Sequence, residues 1–389
     1  MFVDTGSLDL QEADEGEVAR VNQALFQAMS DVCNSPVKRQ ALLKVHVGEP
    51  RCITRMKPEF AGAATWFLRR AGASSVVAGD TTVAYSGRRG HKENPIGNAD
   101  TYLQLAKEQG WAHDAIAGLP FVALDRPCTA LQGAFEFDHQ EHRMWVRGVE
   151  RFEDFYLAGG FAAADFVVNY AHLTLHGLAG VAGCVKSIAM GCSSLRGKLR
   201  MHQSLLPHFD TERCGTCGRC VESCPEQALE LPVGDPCPLL NPDNCIGCGE
   251  CEAVCAPGRN AVVLRDQEIT DWDRGRLTLP ERMADYTVGM MSGRWERVLH
   301  VLHVYAVTER CDCLDLEQDP ITATDLGFVV GMNPFAVDAC AARLLERVLK
   351  EEKREDAQSA LANAEEIARY VKGTYGIETV TNVETVLVF

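Results

Sequence analysis

The sequence predicts an α/β fold, a mostly parallel sheet with flanking helices, interrupted by a small α+β unit. Three observations predict it. Short apolar runs alternate with stretches of helical period, as parallel strands joined by helical crossovers do. Polar residues gather just after the apolar runs, where α/β sheets place their ligands. Eight of the 17 cysteines crowd into one short segment that breaks the alternation.

EVARVNQALFQAM (17–29) repeats its apolar residues at helical spacing and predicts a helix, and ALLKVHV (41–47) predicts a strand. GAATWFLRRAG (62–72) reads as a helix, SVVAGD (75–80) as a strand and ADTYLQLAKEQG (99–110) as a helix. FVALD (121–125) and FVVNY (166–170) are further strands, and GLAGVAGCVKSIAM (177–190) opens another helix. Beyond the cysteines, ERMADYTVGMM, VLHVYAV and LGFVVGM continue the rhythm. Helices at about 335–350 and 356–371 and a last strand, ETVLVF, complete the order. The charged run KEEKRED (350–356) reads as a solvated helix face. The expected division is a first α/β part at 1–205, an insert at 206–266 and a second α/β part at 267–389.

An apolar content of 46% with 24% charged residues excludes wholesale disorder. The net charge of -16 argues against a nucleic-acid or anionic-membrane partner. Runs such as LLKVHV and GFVVGM fall far short of the roughly 18 apolar residues of a membrane span. The N-terminal MFVDTGSLDLQEADEGE is acidic where a secretory signal is basic and then apolar, so a cytoplasmic protein is expected.

Within the cysteine-rich segment, TERCGTCGRCVESCPEQALEL (211–231) reappears as PDNCIGCGECEAVCAPGRNAVVL (242–264), all four cysteines offset by 31. Each copy reads C-x2-C-x2-C-x3-C: Cys214, Cys217, Cys220 and Cys224, then Cys245, Cys248, Cys251 and Cys255. Gly215, Gly218, Gly247 and Gly249 let the backbone approach a cluster and aim N–H groups at its sulfurs. A pair of four-cysteine zinc sites is the competing reading, but zinc sites more often separate two C-x2-C pairs by a long gap. Cys237, in the linker PVGDPCPLLN, reads as a bystander.

The spacing is similar to that of bacterial two-cluster ferredoxins, in which each repeat gives three ligands to one cluster and the fourth to the other. That resemblance implies two [4Fe-4S] clusters, one on Cys214, Cys217, Cys220 and Cys255 and one on Cys245, Cys248, Cys251 and Cys224. Pro225 follows Cys224 as the pattern expects, whereas Ala256 separates Cys255 from Pro257.

In the α/β part, Lys44 and His46 share one strand face by the two-residue period, and Glu49 follows. A buried ammonium needs a partner, which Glu49 or Asp80 can supply. Alternatively Lys44 holds a substrate anion, with His46 as proton donor or metal ligand. Asp80 ends its strand and leads through Thr81 and Thr82 into Tyr85-Ser86-Gly87-Arg88-Arg89, whose GRRG suits a phosphate. Asn169 and Asn333 end other strands, and Asp338 lies one turn into the next helix. His172, His176, Lys186, Lys198 and His202 fall within 31 residues and suit a carboxylate or phosphate substrate, or a metal. Gly177, Gly180 and Gly183 stand at the predicted helix start, where free N–H groups favour an anion or the glycines permit close packing. Cys311 and Cys313 flank Asp312 too closely for an easy mutual disulfide. They suit a metal shared with Cys192 or a histidine, or remain reduced loop cysteines. Cys33, Cys52, Cys128 and Cys340 read as small core or surface residues.

LLKVHVGEP, VAGDTTVAYSGRR, DFVVNYAHLTLHGLAGVAGCVKSIAMGCSSLRGKLRMH, the CDC at 311–313 and DLGFVVGMNPFAVDAC together resemble the domain-of-unknown-function 362 family. Members often carry a two-cluster ferredoxin module after the segment equivalent to GKLRMH, so the resemblance implies the fold and the clusters more than a reaction.

Covalently tethered clusters argue for an oxidoreductase passing low-potential electrons to a substrate or cofactor site lined by Lys44, His46, Asp80, His172, His176 and Lys186. A small anionic substrate and a redox partner protein are expected. The rival readings are a non-enzymatic electron-transfer subunit and a metal-handling or cofactor-assembly protein. The residues identify neither a flavin nor a further metal.

Overall fold

The computed structural model describes the chain except residues 7, 11, 38, 86, 96–97, 112–117, 128–134, 178, 203–204, 225, 243, 246–249, 256–260, 267–277, 323–324, 353–357, 380–383 and 388–389. Ser86, Cys128, Pro225, Gly247, Cys248, Gly249, Ala256 and Pro257 therefore lie outside the described residues. Part of the KEEKRED run does so too.

Eight strands form one sheet in the order Thr385–Leu387, Phe2–Asp4, Gly327–Gly331, Val298–Val304, Phe166–His172, Gln40–Lys44, Ser75–Asp80 and Phe121–Ala123. The five from Val298–Val304 to Phe121–Ala123 pair in parallel, and Gly327–Gly331 runs antiparallel to both neighbours. Burial on both faces explains the near-continuous apolar runs. Ala41 and Leu43 face a core with Leu25 and Met29 of the helix Glu15–Val32 and Phe67 of the helix Gly62–Arg70. Leu42, Val77 and Val167 face the opposite core, with Ile188, Met283 and Tyr286. Asp14 and Glu17 form a reciprocal capping box at the start of Glu15–Val32.

Two expectations are corrected. ALLKVHV is a strand only to Lys44, so His46 stands in the loop beyond it. GLAGVAGCVKSIAM does not begin a helix at 177. Thr174–His176 and Gly180–Ala182 make a hairpin, and a six-residue helix starts only at Cys184. Gly180 has φ 71°, a turn conformation that favours glycine.

The cysteine-rich segment makes two small sheets, Leu205–Phe209 with Val262–Asp266 and Leu229–Glu230 with Leu239–Leu240, both antiparallel. Each sheet thus joins the start of one sequence repeat to the end of the other. Helices Arg219–Glu222 and Glu250–Ala253 keep the 31-residue offset of the cysteines and pack together. None of the described helices is long and apolar enough to cross a membrane.

Candidate functional site

The parallel strands deliver their carboxyl ends to one cavity of about 930 Å³. Lys44, His46, Asp80, His172, His176 and Lys186 all line it, with Lys198, His202, Cys311 and Cys313. Arg213, Glu252, Cys255 and Val262 of the cysteine-rich segment line the same space.

At one end, Lys44 is buried with its Nζ 2.9 Å from Asp80 Oδ1 and donating to the Val45 carbonyl at 2.7 Å. Gly191 makes this fit possible, since a Cβ there would lie 2.7 Å from Lys44 Nζ. Asp80 also accepts from the Tyr102 hydroxyl at 2.7 Å, the Thr81 N–H at 2.9 Å and Arg89 at 3.4 Å. Burial alone would raise the Asp80 carboxyl, but Lys44, His46 and Arg89 outweigh it and hold it well below its ordinary value. Arg89 is buried and reaches Glu49 at 3.0 Å, while Arg88 pairs with Glu108. Carboxylates of the chain therefore take both arginines of the GRRG loop that the sequence offered to a phosphate. Burial and the Arg89 charge lower His46, which lies 3.4 Å from Asp80.

His172 sits between two acceptors, Asp312 Oδ2 at 2.7 Å from Nδ1 and the Tyr305 carbonyl at 2.8 Å from Nε2. Acceptors at both nitrogens favour the protonated ring. Burial lowers its pKa, yet Asp312 and Tyr305 raise it net. His172 therefore anchors the Cys311-Asp312-Cys313 loop with both nitrogens engaged.

Lys186 lines the same cavity beside the Cys311 loop and is largely enclosed by protein. Its Nζ lies 3.2 Å from Cys311 Sγ and 3.6 Å from Cys313 Sγ. Burial, reinforced by the Arg89 charge, drops its pKa to about 7. His176 Nδ1 accepts the Ala179 N–H at 3.1 Å. One nitrogen or sulfur atom each of His176, Cys311 and Cys313 lie within 4.8 Å of one another. His202 presents an Nδ1 without a partner among the described residues, and burial lowers it to about 4. Lys198 donates to Thr81 Oγ1 at 2.8 Å and the Ser193 carbonyl at 2.7 Å, and burial brings it to about 8.

Several expectations change. Cys311 and Cys313 are joined as a disulfide, despite one intervening residue. Cys192 is packed in the core against Ile188 and Met201 and does not line the cavity. The anion-binding helix start is already filled, because Asp338 accepts from the Cys184 and Val185 N–H groups at 2.7 and 2.9 Å. A Cβ on Gly183 would lie 2.5 Å from the Asp338 carboxylate, so that glycine permits packing. Asn333 caps the helix Pro334–Glu351, and Asn169 ties Ser187 to the Cys184 carbonyl. Sequence reasoning did not single out Tyr102 or Tyr305. A buried tyrosine at helix or strand spacing looks like ordinary core until its hydroxyl or carbonyl partner is seen.

Cluster ligation needs cysteines outside disulfides, and Cys214, Cys217, Cys220, Cys224, Cys245, Cys251 and Cys255 form none. Cys220 and Cys251 share one small core, with Cys224 and Cys255 packed against it. Cys214 and Cys217 lie close enough to Cys220 to add to the upward push of burial on its thiol. Thr216 at φ 49° and Gly218 at φ 72° take left-handed backbone conformations between these cysteines. The Ala228 N–H donates to Cys224 Sγ at 3.2 Å.

The family model for a domain of unknown function, DUF362, matches residues 41–343. The chain belongs to this family. Over 42 residues it is 43% identical to an uncharacterized ferredoxin of Methanocaldococcus jannaschii, a match covering 11% of this chain and 66% of that protein. In this DUF362 protein, iron–sulfur involvement thus has sequence support beyond the cysteine count. A structural match is the lactate racemase apoprotein of Thermoanaerobacterium thermosaccharolyticum, at 11% identity and a TM-score of 0.38, covering 90% of this chain and 57% of the racemase.

Proposed function

We propose that the chain is an iron–sulfur oxidoreductase whose cysteine-rich segment, at about 206–266, is a two-[4Fe-4S] ferredoxin-like module feeding the cavity of the α/β part. One observation carries this reading: Cys255, the expected fourth ligand of the first cluster, lines the same cavity as Lys186 and His176. When bound, the clusters supply one-electron transfer at low potential. The ligand sets are the crossed ones, Cys214, Cys217, Cys220 and Cys255 for one and Cys245, Cys248, Cys251 and Cys224 for the other. The crossed strand pairing of the two repeats supports that exchange of fourth ligands.

The chain's own residues divide the remaining work. Lys44, Asp80 and Arg89 form a rigid charged wall, on which His46 stands facing the cavity. Lys186 holds substrate negative charge, and its pKa of about 7 lets it give or take a proton near neutrality. His176 offers a hydrogen bond beside it, and His172 positions the Asp312 loop. The substrate is a small anion, and the electrons arrive from a redox partner protein.

A metal-handling role is the second reading, favoured by the closeness of His176, Cys311 and Cys313.

The test is anaerobic purification with iron and sulfide analysis, then reduction by a low-potential donor with candidate anionic acceptors. Eight irons and eight sulfides per chain and acceptor-dependent reoxidation are expected. Lys186→Met should abolish that reoxidation with the cluster spectrum intact. Unchanged reoxidation would remove Lys186 from the mechanism, and zinc in place of iron would end the electron-transfer reading.

A further inference from the structure

Three observations meet at the Cys311 end of the cavity. The two sulfurs of the Cys-Asp-Cys loop are joined to each other and line the same space as Cys255. A lysine Nζ is held against both sulfurs, 3.2 and 3.6 Å away. An ammonium gains little from a neutral disulfide sulfur and much from a thiolate, so Lys186 is placed for the reduced form. The tautomer of His176 supplies the third observation. Its Nδ1 accepts a hydrogen bond from the Ala179 N–H, which can only donate, so a neutral ring carries its hydrogen on Nε2. Metal-binding histidines instead donate through the nitrogen that does not ligate. That tautomer suits a hydrogen bond to sulfur better than a metal.

We propose that Cys311 and Cys313 are a redox-active dithiol–disulfide couple, a two-electron store between the iron–sulfur module and the cavity. This rests on the module reading above. In the step, the Cys311–Cys313 S–S bond breaks as two electrons enter. The reductant is the pair of reduced [4Fe-4S] clusters, one electron from each. Two protons are taken up from solvent: one goes to a sulfur and the other is held by the Lys186 amine, whose ammonium then pairs with the second sulfur as a thiolate. The resulting dithiol gives both electrons as a pair to a two-electron acceptor in the cavity and closes again to the disulfide. One-electron carriers are thereby matched to two-electron chemistry. The His172–Asp312 pair keeps the loop in place through the cycle, since Asp312 lies between the two cysteines.

The experiment is an anaerobic reductive titration of the cluster-loaded full chain with dithionite, followed by cluster absorbance and by alkylation of thiols read by mass spectrometry. Wild-type protein is expected to take two electrons more than its clusters hold, with the 311–313 peptide alkylated on both cysteines only after reduction. Cys313→Ser, and separately Cys311→Ser, should lose that extra pair of electrons with the clusters still reducible. Both cysteines alkylating before reduction, or cluster reduction without new thiols, would overturn the couple and leave the module reading standing. A metal released from the oxidised protein by a chelator, with Cys311 and Cys313 alkylated only afterwards, would also overturn it. A chain that binds no iron would instead sink the module reading itself.

Discussion

At the Asp80 end of the cavity one carboxylate receives Lys44, Arg89, the Tyr102 hydroxyl and the Thr81 N–H. At the Cys311 end, Lys186 faces two sulfurs, and no carboxylate hydrogen-bonds it among the described residues. The two lysines line the same cavity, yet their fates differ. Lys44 is spent on the protein, whereas Lys186 keeps donors to offer. A buried charge that is fully paired holds a wall together, and one left short of partners is where a ligand still gains energy by arriving.

Removing the partner at the saturated end should therefore cost most. Asp80→Asn strands the Lys44 ammonium and weakens the Arg89 contacts, and a buried pair broken on one side typically loses about 3–5 kcal/mol. Urea denaturation should show the midpoint falling accordingly. A loss below about 1 kcal/mol would mean that water reaches Lys44 and that this end is not the dry wall described.

Asp312 belongs to the loop at the Cys311 end, and Asp312→Asn should cost less, about 1–3 kcal/mol, because His172 keeps the Tyr305 carbonyl and loses one charged partner. Its pH signature is specific. The folded pKa of His172 is raised above 6.5, so its contribution is complete below 6.5 and fades as pH rises through the folded value. The carboxyl of Asp312 is held below 3.8, so its share is complete above 3.8 and fades as pH falls through the lower folded value. Wild-type stability should carry a decline as pH rises above 6.5 that Asp312→Asn flattens. Parallel curves for the two proteins would show that the ring is neutral in the folded state.

Part of this contrast is legible in the sequence. Strand ends mark out Lys44 and Asp80, and their cavity position follows from parallel pairing alone, with Lys44 beside Gly79 in register. The 31-residue offset of the cysteine repeat was legible, and two short helices keep it in the structure. Partner choice was not legible. Whether Lys44 meets Asp80 or Glu49, and whether Asp338 fills a helix start 154 residues away, depends on contacts distant in sequence. Period counting also failed at Gly177, where glycines that suit a helix start instead turn a hairpin. The N-terminal strand Phe2–Asp4 has three residues, too few for any alternation to show.

The smallest effect on stability belongs to Lys186, and its sign sharpens the comparison. Its folded pKa of about 7 lies below the 10.5 of an unfolded lysine. Between those values the unfolded chain holds a proton that the folded chain has released, so wild-type stability rises with pH across the window. Below about 7 both states are protonated and the folded protein bears the cost of an enclosed ammonium. Lys186→Met carries no such burden. It should be at least as stable as wild type at pH 6, and the difference should move in favour of wild type as pH climbs toward 10.5. Paired urea titrations at pH 6 and 9 check this. A variant markedly less stable than wild type at pH 6 would mean that Lys186 is as fully paired as Lys44, and the two ends of the cavity would then be alike.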